Sequence, residues 1–137
     1  MKILVAEDDF FSRKLLNKIL SSLGEADIAA SGKEALAAVK AALDDHAHYR
    51  LICLDVMMPQ MDGLTALQAI RHLESQAGLR EENRAKIIMT TASSDRKKVL
   101  AAAKAGCDAY LIKPITKPRL LEELARLGIV AALADAG

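Results

Sequence analysis

Residues 51–63 read LICLDVMMPQMDG. Leu51 to Leu54 form an apolar run with the length of a buried strand, and the run ends on a carboxylate, Asp55. Val56, Met57, Met58 and Pro59 follow. A Met61–Asp62–Gly63 turn then leads into apolar residues at helical spacing, Leu64, Leu67 and Ile70. The stretch is therefore strand, loop and helix in series. Loops that leave a strand are usually polar, so one acid walled by methionines needs a reason.

Working outward, the same unit recurs. With RLICL (50–54), the apolar runs are KILVA (2–6), ADIAA (26–30), KIIMT (86–90) and DAYLI (108–112). Between them lie helical patterns: Phe11, Leu15, Ile19 and Leu23; Leu36, Val39 and Leu43; Val99, Leu100 and Ala103; and finally Leu120, Leu121, Leu124 and Leu127. Ser31 and Glu34 form an S-x-x-E capping box ahead of the second helix. Gly24 and Gly106 stand where left-handed stops of the first and fourth helices are expected. Strict strand–helix alternation predicts an α/β fold, a (βα)5 doubly wound parallel sheet with helices on both faces. Two connections read as long and polar, DDHAHYR (44–50) and ESQAGLREENRAK (74–86), and the second is expected to be mobile.

Composition narrows the classes. At 137 residues the chain suits one domain with a real core, and 52% apolar with 27% charged residues is a globular, soluble balance. Aromatics are 3%, so the core must be aliphatic. A net charge of +1 argues against a nucleic-acid binder with a basic face. There is no apolar run of about 18 residues to cross a membrane. The opening MKILVAEDD turns acidic too soon for a signal peptide, so a cytoplasmic location is expected. Cys53 and Cys107, both in apolar context, read as reduced, buried small hydrophobes, and His46, His48 and His72 complete no metal-ligand pattern.

In an open parallel sheet, ligands bind outside the carboxyl ends of the strands. There the first run delivers Glu7, Asp8 and Asp9, the third Asp55, the fourth Thr90 and Thr91, and the fifth Lys113 before Pro114. If these strands are neighbours, the groups converge. Three close carboxylates repel, and a hard divalent cation with oxygen ligands, such as Mg²⁺, resolves the conflict. A metal, a lysine and a hydroxyl around one carboxylate suit an anionic, phosphoryl-like group. Each residue also has a plain reading. Asp9 reads best as a favourable helix start, Asp55 could cap the next segment, and Lys113 could be a surface lysine. Four coincidences at four strand ends are harder to accept than one site.

ILVAEDD followed by Arg13, LDVMMPQMDG, IIMTTA and AYLIKP together resemble the receiver domain of two-component response regulators, the family of the chemotaxis Y protein. The likeness runs from residue 2 to about residue 127, and its four motifs come in order. It implies the flavodoxin-like strand order 2-1-3-4-5, a receiver domain over residues 1–128 and a short tail over 129–137. It implies Asp55 as phosphoacceptor, taking a phosphoryl group from a phosphohistidine on a sensor histidine kinase or phosphotransfer protein. Mg²⁺ (or Mn²⁺) would be held by Glu7 through water, by Asp8 and Asp55, and by the Met57 carbonyl. Thr91 and Lys113 would bind phosphoryl oxygens, Thr91 and Tyr110 would form the switch, and Lys113–Pro114 would be cis. The fourth helix, fifth strand and fifth helix would face a downstream protein, with no nucleic acid or membrane involved.

The expectation is a switch without multiple-turnover output. The reach of the chain suits a free-standing single-domain regulator, and a receiver cut from a larger regulator or hybrid kinase is the alternative. A phosphohydrolase with an aspartate nucleophile would carry a second carboxylate at position 57, where Met57 stands. A flavodoxin would not place Glu7–Asp8–Asp9 in its phosphate loop. The chain could also be an interaction module with an inert pocket, although every expected site position is filled by a competent residue. The chemotaxis protein has a polar amide at the place of Met57, and an apolar cover there is expected to slow attack by water on the phosphorylated state.

Overall fold

The computed structural model describes residues 1–92 and 95–129. Five strands, β1 (Ile3–Ala6), β2 (Ala26–Ala29), β3 (Leu51–Asp55), β4 (Lys86–Thr91) and β5 (Ala109–Ile112), alternate with five helices. The helices are α1 (Phe10–Leu20), α2 (Gly32–Asp44), α3 (Gly63–Gln76), α4 (Arg96–Lys104) and α5 (Lys117–Arg126). All strand pairs are parallel, and the order is β2-β1-β3-β4-β5. The expected doubly wound flavodoxin-like sheet is the one observed. Residues 130–137, which include most of the alanine-rich tail, lie outside the described residues.

Side-chain alternation along the strands divides the core into two layers. Leu4, Ile52, Leu54, Ile87 and Met89 face Ala35, Val39, Leu67, Ile70 and Ala102 of α2, α3 and α4. Ile3, Val5, Leu51, Cys53, Ile88 and Leu111 face Leu16, Ile19, Leu20, Leu120 and Leu124 of α1 and α5. β1, β3 and nearly all of β4 are buried end to end, as central strands of a parallel sheet should be. β2 is an edge strand, and its Asp27 and Ile28 are exposed.

Each helix begins on a side-chain cap. Asp9 accepts from the Ser12 N–H, Ser31 from Glu34, Asp62 from Thr65, Asp95 from Lys97 and Thr116 from Arg119. The capping role read for Asp9 therefore holds, and the Ser31 hydroxyl lies 3.5 Å from the Glu34 carboxylate that completes its box.

Two helical stripes differ from expectation. α1 packs through Leu16, Ile19, Leu20 and Leu23, while Phe11 and Leu15 point to solvent. Two apolar stripes compete on that helix, and the sheet takes the one through Leu16 and Leu20. α4 buries only Ala102 and turns Leu100 outward.

Gly106 has the left-handed φ expected of a helix stop, whereas Gly24, at φ 158°, is close to extended. Within the segment expected to be mobile, several contacts form. Its first residues complete α3, Glu81–Asn83 form a 3₁₀ turn, and the Ala85 N–H donates to the buried Glu74 carboxylate at 2.8 Å. In the other polar connection, Tyr49 is buried and donates to Asp27 at 2.6 Å.

Candidate functional site

The site grows from strand register. Asp55 is level with Thr90, and Thr91 is level with Ile112, so Lys113 follows directly beside Thr91. The Lys113 N–H donates to the Thr91 carbonyl at 2.6 Å, and the Val56 N–H donates to Thr90 at 2.9 Å. The Lys113–Pro114 peptide is cis, as the family likeness implied.

The loop after β3 folds back closely on its own strand. The Gly63 N–H donates to the Val56 carbonyl at 2.8 Å, and a Cβ on Gly63 would stand 2.1 Å from the Asp55 carbonyl oxygen. Only glycine fits there without backbone movement. The Met57 N–H donates to Asp55 Oδ1 at 3.2 Å, which orients the carboxylate from its own loop.

Glu7, Asp8 and Asp55 bring one carboxylate oxygen each to within 4.8 Å of one another. Glu7 and Asp55 are buried and Asp8 is exposed, so the cluster opens to solvent on the Asp8 side. One cation faces them: the Lys113 ammonium lies 2.6 Å from Glu7 Oε1 and 3.1 Å from Asp55 Oδ2. It forms a hydrogen bond to Asp55, and it is the sole group set against the buried Glu7 Oε1 among the described residues.

Burial pushes the Glu7 carboxyl up to about 7, and the neighbouring Asp55 adds to the rise. Lys113 and the Asp9 N–H pull it back only in part. The two carboxylates in turn hold the Lys113 ammonium above its ordinary range, against the opposing effect of its burial. Arg13 stays outside the carboxylate cluster and donates to the Glu7 carbonyl at 3.2 Å.

The donor set fits the cation that the sequence implied. All the donors are oxygens, three carboxylates meet one lysine, the buried Glu7 carboxylate has only that shared ammonium against its Oε1, and one side is open to water. That is the chemistry of a Mg²⁺ site. Among the described residues no second group of three potential ligands gathers, and His46, His48 and His72 join none. Cys53 is buried and its thiol is pushed up to about 12, while Cys107 is only partly buried; both are free.

The other expected residues lie where the register places them. Thr91 is buried at the end of β4, and the Tyr110 ring is half-buried. The Tyr110 hydroxyl is buried beside Thr91, whose closeness partly offsets the upward push of burial on the phenol. Met57, expected as an apolar cover, is 62% exposed and borders a groove of about 210 Å³ between α3 and α4.

Sequence reasoning missed a second charged cluster at the opposite end of the sheet. Arg71 reaches the Gly106 and Ala85 carbonyls at 2.9 and 2.8 Å, Glu74 at 2.7 Å and Asp108 at 2.9 Å. A signal was present, since Glu74 falls four residues after Ile70 on the buried face of its helix.

A parallel sheet in this order, with an acidic pocket and a lysine at its carboxyl ends, is a receiver-type module. The family model of the response regulator receiver domain matches residues 3–125, and the chain belongs to that family, whose members serve two-component signalling. Among curated relatives, the chemotaxis protein CheY of Bacillus subtilis is 32% identical over 90% of this chain and 93% of its own length. Hybrid signal transduction histidine kinase L of Dictyostelium discoideum is 34% identical over 93% of this chain, which spans only 7% of that protein. Among solved structures, the CheX–CheY–BeF3–Mg²⁺ complex from Borrelia burgdorferi aligns with a TM-score of 0.78 at 27% identity, covering 93% of this chain and 88% of that one. No helix of the described residues is long and apolar enough to cross a membrane.

Proposed function

We propose that this chain is a phosphorylation-activated switch in which Asp55 accepts a phosphoryl group from the phosphohistidine of a histidine kinase or phosphotransfer protein. The observation that carries this reading is the charge imbalance: three carboxylates gather within 4.8 Å at the carboxyl end of a parallel sheet, and one ammonium pairs with two of them. A site built only for stability would balance its charges.

The Asp55 carboxylate, held by the Met57 N–H and Lys113, attacks phosphorus. An oxygen–phosphorus bond forms as the donor's phosphorus–nitrogen bond breaks, and the electron pair leaves with the imidazole. Lys113 stays paired with the oxygens that gain charge, and the Thr91 hydroxyl supplies a hydrogen bond from the end of β4. Glu7, Asp8, Asp55 and the Met57 carbonyl would hold Mg²⁺, which when bound offsets negative charge on the carboxylates and phosphoryl oxygens. The product carries about −1.5 to −2 charges at neutral pH. Thr91 moves toward it, Tyr110 follows Thr91, and the surface formed by α4, β5 and α5 changes shape for a downstream protein.

Incubation with acetyl phosphate and Mg²⁺ followed by intact mass tests the reading. The expected result is a gain of one phosphoryl group per chain, absent in Asp55→Ala and absent when the metal is chelated. Catalytic turnover of acetyl phosphate without a stoichiometric label, or labelling that persists in Asp55→Ala, would overturn it. The domain limits 1–128 and 129–137 belong to this proposal. A second reading has support in the likeness to hybrid kinase L, in which a receiver is a small part of the whole. In that case the phosphoryl group passes on to another histidine, and the labelled chain would lose it to a phosphotransfer protein.

A further inference from the structure

The groove of about 210 Å³ between α3 and α4 has an apolar floor and rims of opposite charge. The buried Val56 and Met89 lie at its base, and Leu64 of α3 and Ala102 of α4 line its walls. Ala102 is the one residue of α4 that is buried, and its single methyl leaves space that a longer side chain would fill. Asp62 stands on one rim and Lys98 on the other, both exposed. Lys98 falls four residues before Ala102, so its side chain is on the groove's side of α4.

The fold does not occupy these rim groups. Asp62 caps α3 through Oδ1, which accepts from the Thr65 N–H at 2.8 Å, and Oδ2 is left over. Among the described residues neither Asp62 nor Lys98 enters an ion pair. The Thr65 hydroxyl and the Gln68 amide also border the groove, and among the described residues neither takes part in a hydrogen bond. Arg71, at the other end of the sheet, is by contrast fully engaged by Glu74 and Asp108. An apolar hollow with a few convergent polar groups is the usual form of a small-molecule site. Its volume is below the roughly 300–1,000 Å³ of drug-sized sites, so the ligand is small.

We propose that this groove binds a small zwitterion with an apolar body, such as an amino acid with an aliphatic or aromatic side chain. Its carboxylate pairs with Lys98 and its ammonium with Asp62 Oδ2, while its apolar part lies over Val56, Leu64 and Met89. Opposite charges across one apolar floor favour a ligand that carries both. An anion, a cation or a neutral hydrocarbon would each leave a rim group without a partner. The consequence for signalling rests on the switch reading above. A bound zwitterion ties the loop after Asp55 to the helix after Thr91 and opposes their relative movement, so activation of the switch weakens its binding.

The test is an NMR titration of the full chain, isotope-labelled at the methionine methyls, with L-leucine, L-phenylalanine and ε-aminocaproate as probes. The methyls of Met57 and Met89, which border the groove, should shift and saturate with a Kd of about 1 mM or tighter for at least one probe. Met1, which does not line the groove, should stay still. Lys98→Gln and Asp62→Asn should each weaken binding about tenfold, and Ala102→Leu should block it by filling the hollow. Asparagine caps a helix about as well as aspartate, and Lys98 is exposed, so circular dichroism of these two variants should match the parent chain. Adding Mg²⁺ and BeF3⁻ should weaken binding about fivefold or more.

No saturable shift with any probe, shifts that include Met1, or binding unchanged in either Lys98→Gln or Asp62→Asn would each overturn the site. So would benzyl alcohol or acetate binding as tightly as the zwitterions, since neither uses both rims. Intact mass after acetyl phosphate separates the two layers. If the chain is labelled and BeF3⁻ leaves the affinity unchanged, the regulatory consequence fails. If the chain is not labelled, the switch reading fails, and the methionine shifts still decide the site.

Discussion

The two ends of the sheet each hold a charged cluster, and they are built on opposite principles. At the amino ends of β4 and β5, the Arg71 guanidinium donates to two carboxylates and two carbonyls. Those carboxylates are satisfied in turn by backbone N–H groups: Glu74 accepts from Ala85 and Asp108 from Ile87, each at 2.8 Å. At the carboxyl ends, three carboxylates face one ammonium, which divides itself between Glu7 and Asp55. The satisfied cluster has geometry that favours rigidity, joining α3, the start of β4 and the turn into β5. The other leaves an excess of carboxylates over ammonium groups, and that excess is what the proposed switch would use. A cavity of about 280 Å³ lies at the Arg71 end, away from the residues expected to carry the chemistry. Charge imbalance points to the site better than concavity does.

Removing the central cation of the satisfied cluster should have the largest effect. Arg71→Met strands the buried Glu74 and the partly buried Asp108 without their countercharge, and should lower folding stability by about 3 kcal/mol. Urea unfolding measures that loss, while intact mass should show that the folded fraction still takes a phosphoryl group. Asp55→Ala should do the reverse, with labelling abolished and stability held or raised because one repelling carboxylate is gone. If Arg71→Met unfolds at the same urea concentration as the parent, the contrast between the two ends collapses.

A smaller effect sharpens the same contrast through pH. In the metal-free chain Glu7 titrates near 7 rather than at its ordinary 4.5, so the folded state holds a proton that the unfolded state has released. The stability from this proton is fully present below about pH 4.5 and is lost as pH rises through 7. Mg²⁺ competes with that proton, so the rise in Tm on adding Mg²⁺ should be several degrees and larger at pH 8 than at pH 6. Glu7→Gln should remove this pH dependence, and Arg71→Met should leave it in place. A Mg²⁺ response that is the same at both pH values would break the account of Glu7.

Much of this was legible in the sequence, for a physical reason. A parallel sheet buries its strands on both faces, so five apolar runs stand out, and the residue ending each run lies at the functional edge. That rule picks out Glu7, Asp8, Asp55, Thr91 and Lys113 as candidates, and strand register gathers them at one end of the sheet. What stayed hidden depends on tertiary competition. Phe11 and Leu15 form as good a helical stripe as Leu16 and Leu20, and only the sheet beneath α1 decides between them. Leu100 looked like core because sequence does not say which side of a short, alanine-rich helix faces inward. Glu74 looked like part of a polar loop because its partners, Arg71 and the Ala85 N–H, become neighbours only when α3 packs against the start of β4.

Met57 gives the finest test, because it puts an apolar side chain at the edge of the unbalanced cluster. Its N–H orients Asp55, while its side chain is mostly exposed and borders the groove between α3 and α4. A side chain in that position interferes with water approaching the phosphorylated Asp55 only if it swings over the pocket. The backbone contact would survive substitution, so Met57→Asn isolates the side chain. The expected outcome is a phosphorylated half-life shortened about three- to tenfold, equivalent to roughly 1 kcal/mol of barrier, with the initial rate of labelling unchanged. A half-life equal to the parent's would mean that the methionine stays in the groove and plays no part in timing. A longer one would mean that an amide in this place protects the acyl phosphate, opposite to the expectation for an apolar cover.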